Sequence, residues 1–252
     1  MLETRTWNGP AYDRVSMPME RLGREVMDRL ELRGDETVLD AGCGSGRLTE
    51  LLIERVPRGH VIGVDASASM IDAARERLGE AADLRRADLV GLDLGGEQVD
   101  VVFSTATFHW IADHAALFRS LRVALRPSGR LVAQCGGAGN VESVHGAAAA
   151  AGELEPFAAH FAGWQGPWNF AAPQDTERRL REAGFGTARC WLAERPVTPD
   201  DPREFLRTIV LGAHLDRLPA DLHDAWLDAV LARLGERPTV DYVRLNIDAT
   251  AG

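Results

Sequence analysis

Three aspartates, each closing a short strand-like run, are the side chains of this sequence best suited to grip a small ligand. Asp40 follows Val38-Leu39, Asp65 follows His60-Val61-Ile62-Gly63-Val64, and Asp88 follows Arg85-Arg86-Ala87. Between the first two lies Gly42-Cys43-Gly44-Ser45-Gly46. Glycines of this kind accept positive φ without a Cβ clash and let a ligand lie on the main chain. Several nucleotide cofactors use such a turn, and the flanking residues separate them. A dinucleotide loop reads G-x-G-x-x-G, but Arg47 stands at its third glycine. A P-loop needs a Lys-Ser/Thr pair after the glycines, and none follows. What remains, G-x-G-x-G behind a carboxylate, suits a nucleoside cofactor that ends in an ammonium group. Asp40 is expected to hold that end, directly or through water. Asp65 is expected to accept both ribose hydroxyls, as the acid at the end of the second strand does in dinucleotide folds, and Asp88 the exocyclic amine of adenine, with Leu89 as apolar lining.

These residues need strand ends and helix starts to aim them. Leu48, Leu51, Leu52 and Val56 lie on one helical face after the glycine turn. Similar spacing recurs at Met19, Leu22, Val26 and Leu30, at Met70, Ile71, Ala74 and Leu78, and at Leu117, Phe118, Leu121 and Leu125. Strands and helices therefore alternate from about 36 to 135, which predicts an α/β doubly wound sheet with its ligand at the carboxyl ends of the strands. The rhythm breaks after Gln134. We expect an N-terminal arm and helix over 1–35, a ligand-binding core over 36–137, and a cap insertion over 138–173. The core resumes over 174–252, with a second helical cap insertion near 199–236. Asp201-Pro202-Arg203-Glu204 reads as a capped helix start, and Thr239 to Ile247 alternates as a final strand.

Taken together, DAGCGSG at 40–46, GVDAS at 63–67 and RRADL at 85–89 resemble the class I S-adenosylmethionine (SAM)-dependent methyltransferases. The likeness continues through Val99 to Ser104, Phe108-His109-Trp110-Ile111, and Leu125 to Leu131. It is strongest to the trans-aconitate methyltransferase-like group, through FHWIADH at 108–114 and a W-x-x-x-x-Y made by Trp7 and Tyr12. The resemblance implies a Rossmann-like seven-stranded sheet of order 3-2-1-4-5-7-6 with its last strand antiparallel, and SAM as cofactor. Its expected contacts begin with Tyr12, which closes over the site, Asp40, Gly42, Cys43, Gly44 and Gly46. They continue with Asp65, Ala66 and Met70, then Ala87, Asp88 and Leu89, and finally Ser104 and Thr105.

His109 falls just after the fourth strand, where a residue faces both the transferable methyl group and the acceptor. If the accepting atom carries a proton, His109 is the leading base, because an imidazole titrates near neutrality; a carboxylate acceptor needs none. The closest resemblance implies O-methylation of a carboxylate, with Arg195, Arg207 and Arg244 as candidates to steer an acid. A hydroxylated or amino metabolite, with His109 as base, is the alternative. A SAM-binding sensor or accessory subunit without methyl transfer is a third. Trp164, Trp168 and His160 suit cap packing or substrate contact equally. Ser104-Thr105-Ala106-Thr107-Phe108 lacks the Asn/Asp-Pro-Pro-aromatic motif, which counts against amide and base nitrogens.

Composition narrows the partners. At 252 residues with 45% hydrophobic content the chain can bury a full core. A net charge of −10 argues against a phosphate backbone as ligand, so the expected partner is a small molecule rather than nucleic acid. No apolar run reaches membrane-spanning length, and MLETRTWNGPAYDR lacks the apolar centre of a signal peptide; a cytoplasmic location is the expectation. The sequence leaves monomer and homodimer equally open. Cys43, Cys135 and Cys190 have neither disulfide nor metal spacing, and the histidines show no dense ligand pattern, so no metal is expected.

Overall fold

The computed structural model describes residues 17–252. The chain forms α1 (Met17–Met27), β1 (Thr37–Ala41), α2 (Arg47–Arg55), β2 (His60–Asp65), α3 (Ala68–Leu78), β3 (Asp83–Arg86), β4 (Val99–Thr105), α4 (His114–Ala124) and β5 (Leu125–Gly136). There follow α5 (Glu142–Gly152), α6 (Ala158–Phe161), α7 (Pro173–Glu182), β6 (Phe185–Glu194), α8 (Pro202–Phe205), α9 (Gly212–Leu215), α10 (His223–Leu234) and β7 (Val243–Ala251).

The seven strands form one sheet of order β3-β2-β1-β4-β5-β7-β6. The first five run parallel, and β7 lies antiparallel between β5 and β6. This is the Rossmann-like arrangement that the resemblance implied. Strand residues are apolar on both faces because helices cover both. Leu39, Ile62, Val102 and Leu131 pack with Leu117, Phe118 and Leu180 of α4 and α7. Val38, Val61, Val101 and Val132 pack with Val26, Met27 and Leu52 of α1 and α2. Each such side chain removed from water contributes about 1.5–3 kcal/mol, before the entropy of ordering it.

A third apolar cluster gathers residues far apart in sequence. Val144, Ala148 and Ala151 of α5 and Phe157 meet Leu206, Leu211, Trp226, Leu227 and Val230. The two stretches between strands thus share one interior, with Trp226 fully buried at its centre. Asp201 caps α8 as its sequence predicts, its Oδ1 accepting the Glu204 N–H at 3.0 Å.

The final strand differs from the expectation. It starts at Val243 and runs to Ala251, whereas Val240 makes only an isolated bridge to Val197. Leu245, Ile247, Ala249 and Ala251 carry its inward alternation, and alanine gives that pattern a weak signal. No described helix is long and apolar enough to cross a membrane, and the described residues contain no His/Cys/Asp/Glu group that could hold a metal.

Candidate functional site

The glycine turn joins β1 to α2, and its three glycines do different work. Gly42, Gly44 and Gly46 all hold positive φ, at 87°, 55° and 82°. A Cβ on Gly42 would stand 2.1 Å from Thr107 Oγ1, and one on Gly46 2.8 Å from Leu78 Cδ1. At Gly44 a Cβ would meet nothing within 4 Å. Gly42 and Gly46 therefore permit packing, while Gly44 keeps backbone bare toward open space, as a ligand resting there requires. The N–H groups of Gly42 and Cys43 both donate to Val64 O, at 2.8 and 3.0 Å, and pin the loop to β2.

Asp40 and Asp65 flank this loop. Asp40 is 2% exposed and accepts a 2.7 Å hydrogen bond from Thr49 Oγ1. Burial pushes its pKa up to about 7, against the pull of Thr49 and with a smaller push from Asp65. Asp65 accepts the Gly44 N–H at 3.0 Å on Oδ2 and the Ser67 N–H at 2.8 Å on Oδ1. Burial raises its pKa despite those bonds. Desolvation and then the two acids push the Cys43 thiol up, which disfavours its thiolate.

A cleft of about 90 Å³ opens over the turn, lined by Asp40, Gly42, Cys43, Gly44 and Thr105. Glu20, Arg47 and Ala106 also line it, and sequence reasoning did not pick them out as ligand contacts. Glu20 bonds Arg24 at 2.9 Å and pairs with Arg47 at 3.2 Å. At a helix N-terminus such an acid reads as solvent face, so it carried no signal. Ala106 holds φ 55°, a left-handed conformation rare for a residue with a Cβ, while its N–H donates to Gln134 O at 2.8 Å.

Other expected contacts are spread more widely. Ala66 and Ala87 sit half-buried at the ends of β2 and β3, with the Ala87 N–H donating to Asp65 O at 3.1 Å. Leu89 is buried, whereas Asp88 is exposed and its Oδ1 accepts the Val90 N–H at 2.9 Å. Met70 is buried in the first turn of α3, where its N–H donates to the capping Ser67 Oγ. Ser104 departs from its expected role: it is fully enclosed, and its hydroxyl donates at 2.6 Å to Ala41 O, so it ties β4 to β1 and does not face the cleft. Tyr12 and Trp7 lie outside the described residues.

Past the carboxyl end of β4 stands His109, buried in the 3-10 turn Phe108–Trp110. Its ring lies 5.2 Å from that of Trp110 and 5.8 Å from Phe170. The Gly136 N–H donates to its Nδ1 at 3.3 Å, which leaves the ring proton of the neutral form on Nε2. Desolvation, then the charge of Arg244, holds its pKa well below the usual range. His109 is therefore a neutral N–H donor at physiological pH, and this geometry does not favour it as a base.

Of the three arginines, Arg195 pairs with Glu25 at 3.1 Å on the surface and Arg207 pairs with Asp224. Arg244 is only 3% exposed. Antiparallel β7 brings it opposite Gly136, at the carboxyl end of β5. Its Nε donates to Gln134 Oε1 at 3.4 Å, and Gln134 Nε2 donates to Asn246 Oδ1 at 2.9 Å. Asn246 Oδ1 also accepts from Arg29 at 3.0 Å. Two buried amides thus hold a buried guanidinium near His109.

The arrangement fits SAM on its own terms: bare backbone at Gly44, a buried carboxylate at Asp40, and a second at Asp65 one strand away. Residues 38–129 match the methyltransferase domain family. An uncharacterised methyltransferase of Schizosaccharomyces pombe is 34% identical over 209 residues, covering 80% of this chain and 79% of its own. A trans-aconitate 2-methyltransferase of Acidovorax sp. is 31% identical over 243 residues, covering 92% and 90%. In fold, the chain is similar to phosphoethanolamine N-methyltransferase 2 of Haemonchus contortus, solved with phosphomonomethylethanolamine and S-adenosylhomocysteine. That likeness has a TM-score of 0.61 at 18% identity and covers 96% of this chain and 56% of the other. With its sheet order, its glycine turn and two relatives matched over 79% and 90% of their length, the chain belongs to the class I SAM-dependent methyltransferases, within the trans-aconitate methyltransferase-like group.

Proposed function

We propose that this methyltransferase esterifies the carboxylate of a small organic acid, as the name of its Acidovorax relative suggests. The observation that carries the reading is Arg244, buried at the carboxyl edge of the sheet, tied to Gln134 and paired in register with Gly136, whose N–H is bound to His109. A buried guanidinium suits an acceptor carboxylate in geometry and charge.

Gly44 would carry the cofactor on its bare backbone, Asp40 would take the ammonium end, and Asp65 would take the ribose. When bound, SAM would supply an electrophilic methyl group, and its passage to a carboxylate oxygen would require no proton to be removed. That balance suits a site whose histidine is neutral and whose Nδ1 already accepts a hydrogen bond. The protein's own work is to align the two partners and exclude water, the larger part of catalysis in such a displacement. The segments 138–173 and 199–236 serve as the cap that does so. A base-dependent acceptor finds no free imidazole nitrogen of ordinary basicity at His109.

The test is a panel of carboxylic acids, trans-aconitate among them, alongside phenols and amines, read as S-adenosylhomocysteine release. Turnover confined to acids supports the reading. Turnover confined to phenols or amines overturns it, and SAM binding without turnover of any member identifies a sensor.

A further inference from the structure

Beyond Arg244, the site is continued by rings. Phe170 stacks beside His109, and Trp168 lies 6.3 Å from Phe170 with the ring planes within 13°. His145 follows, 4.4 Å from Trp168 and 5.9 Å from Phe170, and then His214 and Trp164, 4.8 Å apart. This wall is built rather than incidental. Asn169 staples the loop that carries it to the core, its N–H donating to His109 O at 2.8 Å and its Nδ2 to Ala112 O at 2.9 Å. Trp168 and Phe170 sit on either side of that staple. Gly166, at φ 79°, lets the Trp168 ring lie where a Cβ would be 2.1 Å away, and Gly136 likewise makes room for Phe170.

One feature points to a ligand. Trp110, Trp164, Trp168 and Phe170 each keep part of their surface exposed although they touch one another, in a wall that begins at His109.

We propose that this wall seats a flat, unsaturated or aromatic body of the methyl acceptor, so that the substrate is an aryl or conjugated monocarboxylic acid rather than a polycarboxylate. The proposal rests on the carboxylate reading only for the end placed at Arg244. Near-parallel rings receive a planar π system by stacking and offer a carboxylate neither a cation nor a hydrogen-bond donor from their faces. Burial holds His145 down to about 4 and His214 to about 3, so both are neutral and supply no cation for a second carboxylate. A second acid group would be buried there without a partner.

The experiment compares trans-cinnamate, trans-crotonate, trans-aconitate and p-cresol as acceptors for the full chain, by S-adenosylhomocysteine release. Cinnamate keeps the ring and the acid, crotonate the acid and the double bond, aconitate adds two carboxylates, and p-cresol keeps the ring alone. The expected result is a kcat/KM for cinnamate at least tenfold above those for crotonate and aconitate. In Trp168→Leu the cinnamate-to-crotonate ratio falls at least fivefold, and in Trp168→Phe it is largely restored. SAM affinity by calorimetry and Tm, read on the same preparations, separate this from misfolding. Preference for aconitate, or equal loss of cinnamate and crotonate in a folded Trp168→Leu, overturns the proposal. Turnover of p-cresol and not of cinnamate, lost in Trp168→Leu, overturns the monocarboxylate and leaves the ring subsite standing.

Discussion

Replacing Asp40 by Asn should make the cofactor-free protein more stable at neutral pH and a poorer binder of SAM. Asp40 is buried beside Asp65 and accepts a hydrogen bond from Thr49 Oγ1. Its carboxyl is raised from 3.8 to about 7, first by burial. A raised folded-state pKa means that the stability Asp40 contributes is fully present below pH 3.8 and is lost as pH rises toward 7. Full linkage over that interval amounts to about 4 kcal/mol. Relaxation and the effective dielectric of real interiors reduce what a variant would show to about 1–2 kcal/mol. Asn keeps an oxygen for the Thr49 hydroxyl and carries no charge. Differential scanning calorimetry at pH 8 should therefore show a Tm gain of about 3–6 °C without SAM, at the usual conversion for chains of this size. The gain should shrink at pH 5.5, where the wild-type carboxyl is largely protonated. With saturating SAM the order should reverse, because binding stabilises by mass action and the variant lacks the charge that meets the ammonium; a tenfold loss of calorimetric affinity at pH 8 is expected. A gain equal at both pH values, or unchanged SAM affinity, would refute the assignment of Asp40 as a strained carboxylate held ready for a cation.

The turn glycines should separate in their effects. Gly44→Ala pays only the left-handed backbone cost of about 1–2 kcal/mol, so it should fold yet lose SAM binding by calorimetry, whereas Gly42→Ala should unfold at lower temperature because its Cβ meets Thr107. A Gly44→Ala protein with wild-type SAM affinity would remove the bare backbone from the site. For His109, kcat/KM should show no imidazole inflection between pH 6 and 8, since the ring stays neutral throughout. A slope in that range that vanishes in His109→Gln would restore the base.

The sheet was legible because its signals are local. Asp40, Asp65 and the glycines announce a strand end and a helix start within a few residues, and alternation of strand and helix then forces a parallel sheet. Tertiary pairing decided what local pattern could not. The last strand is defined by its register on β5, Gln134 against Asn246 and Gly136 against Arg244, a pairing between distant residues that leaves little trace in the alanine-bearing segment 248–251.

The same division explains the site. The cofactor end depends on a backbone shape, and a backbone shape writes itself into glycines and a carboxylate. The proposed acceptor end depends on which long side chains turn inward. Arg195, Arg207 and Arg244 look alike as sequence, yet two of them meet acids on the surface, and only Arg244 is placed at the carboxyl edge by an antiparallel strand. The segment Gly163-Trp164-Gln165-Gly166-Pro167-Trp168-Asn169-Phe170 reads as a turn-rich loop until Asn169 is seen to fix it on His109 and Ala112. Ser104 errs in the opposite direction: its position after a strand suits a ligand contact, and its hydroxyl is already bound to Ala41. The cofactor motif is therefore readable from a contiguous segment, while the acceptor site we propose draws on β4, β5, β7 and a stapled loop that come together only in space.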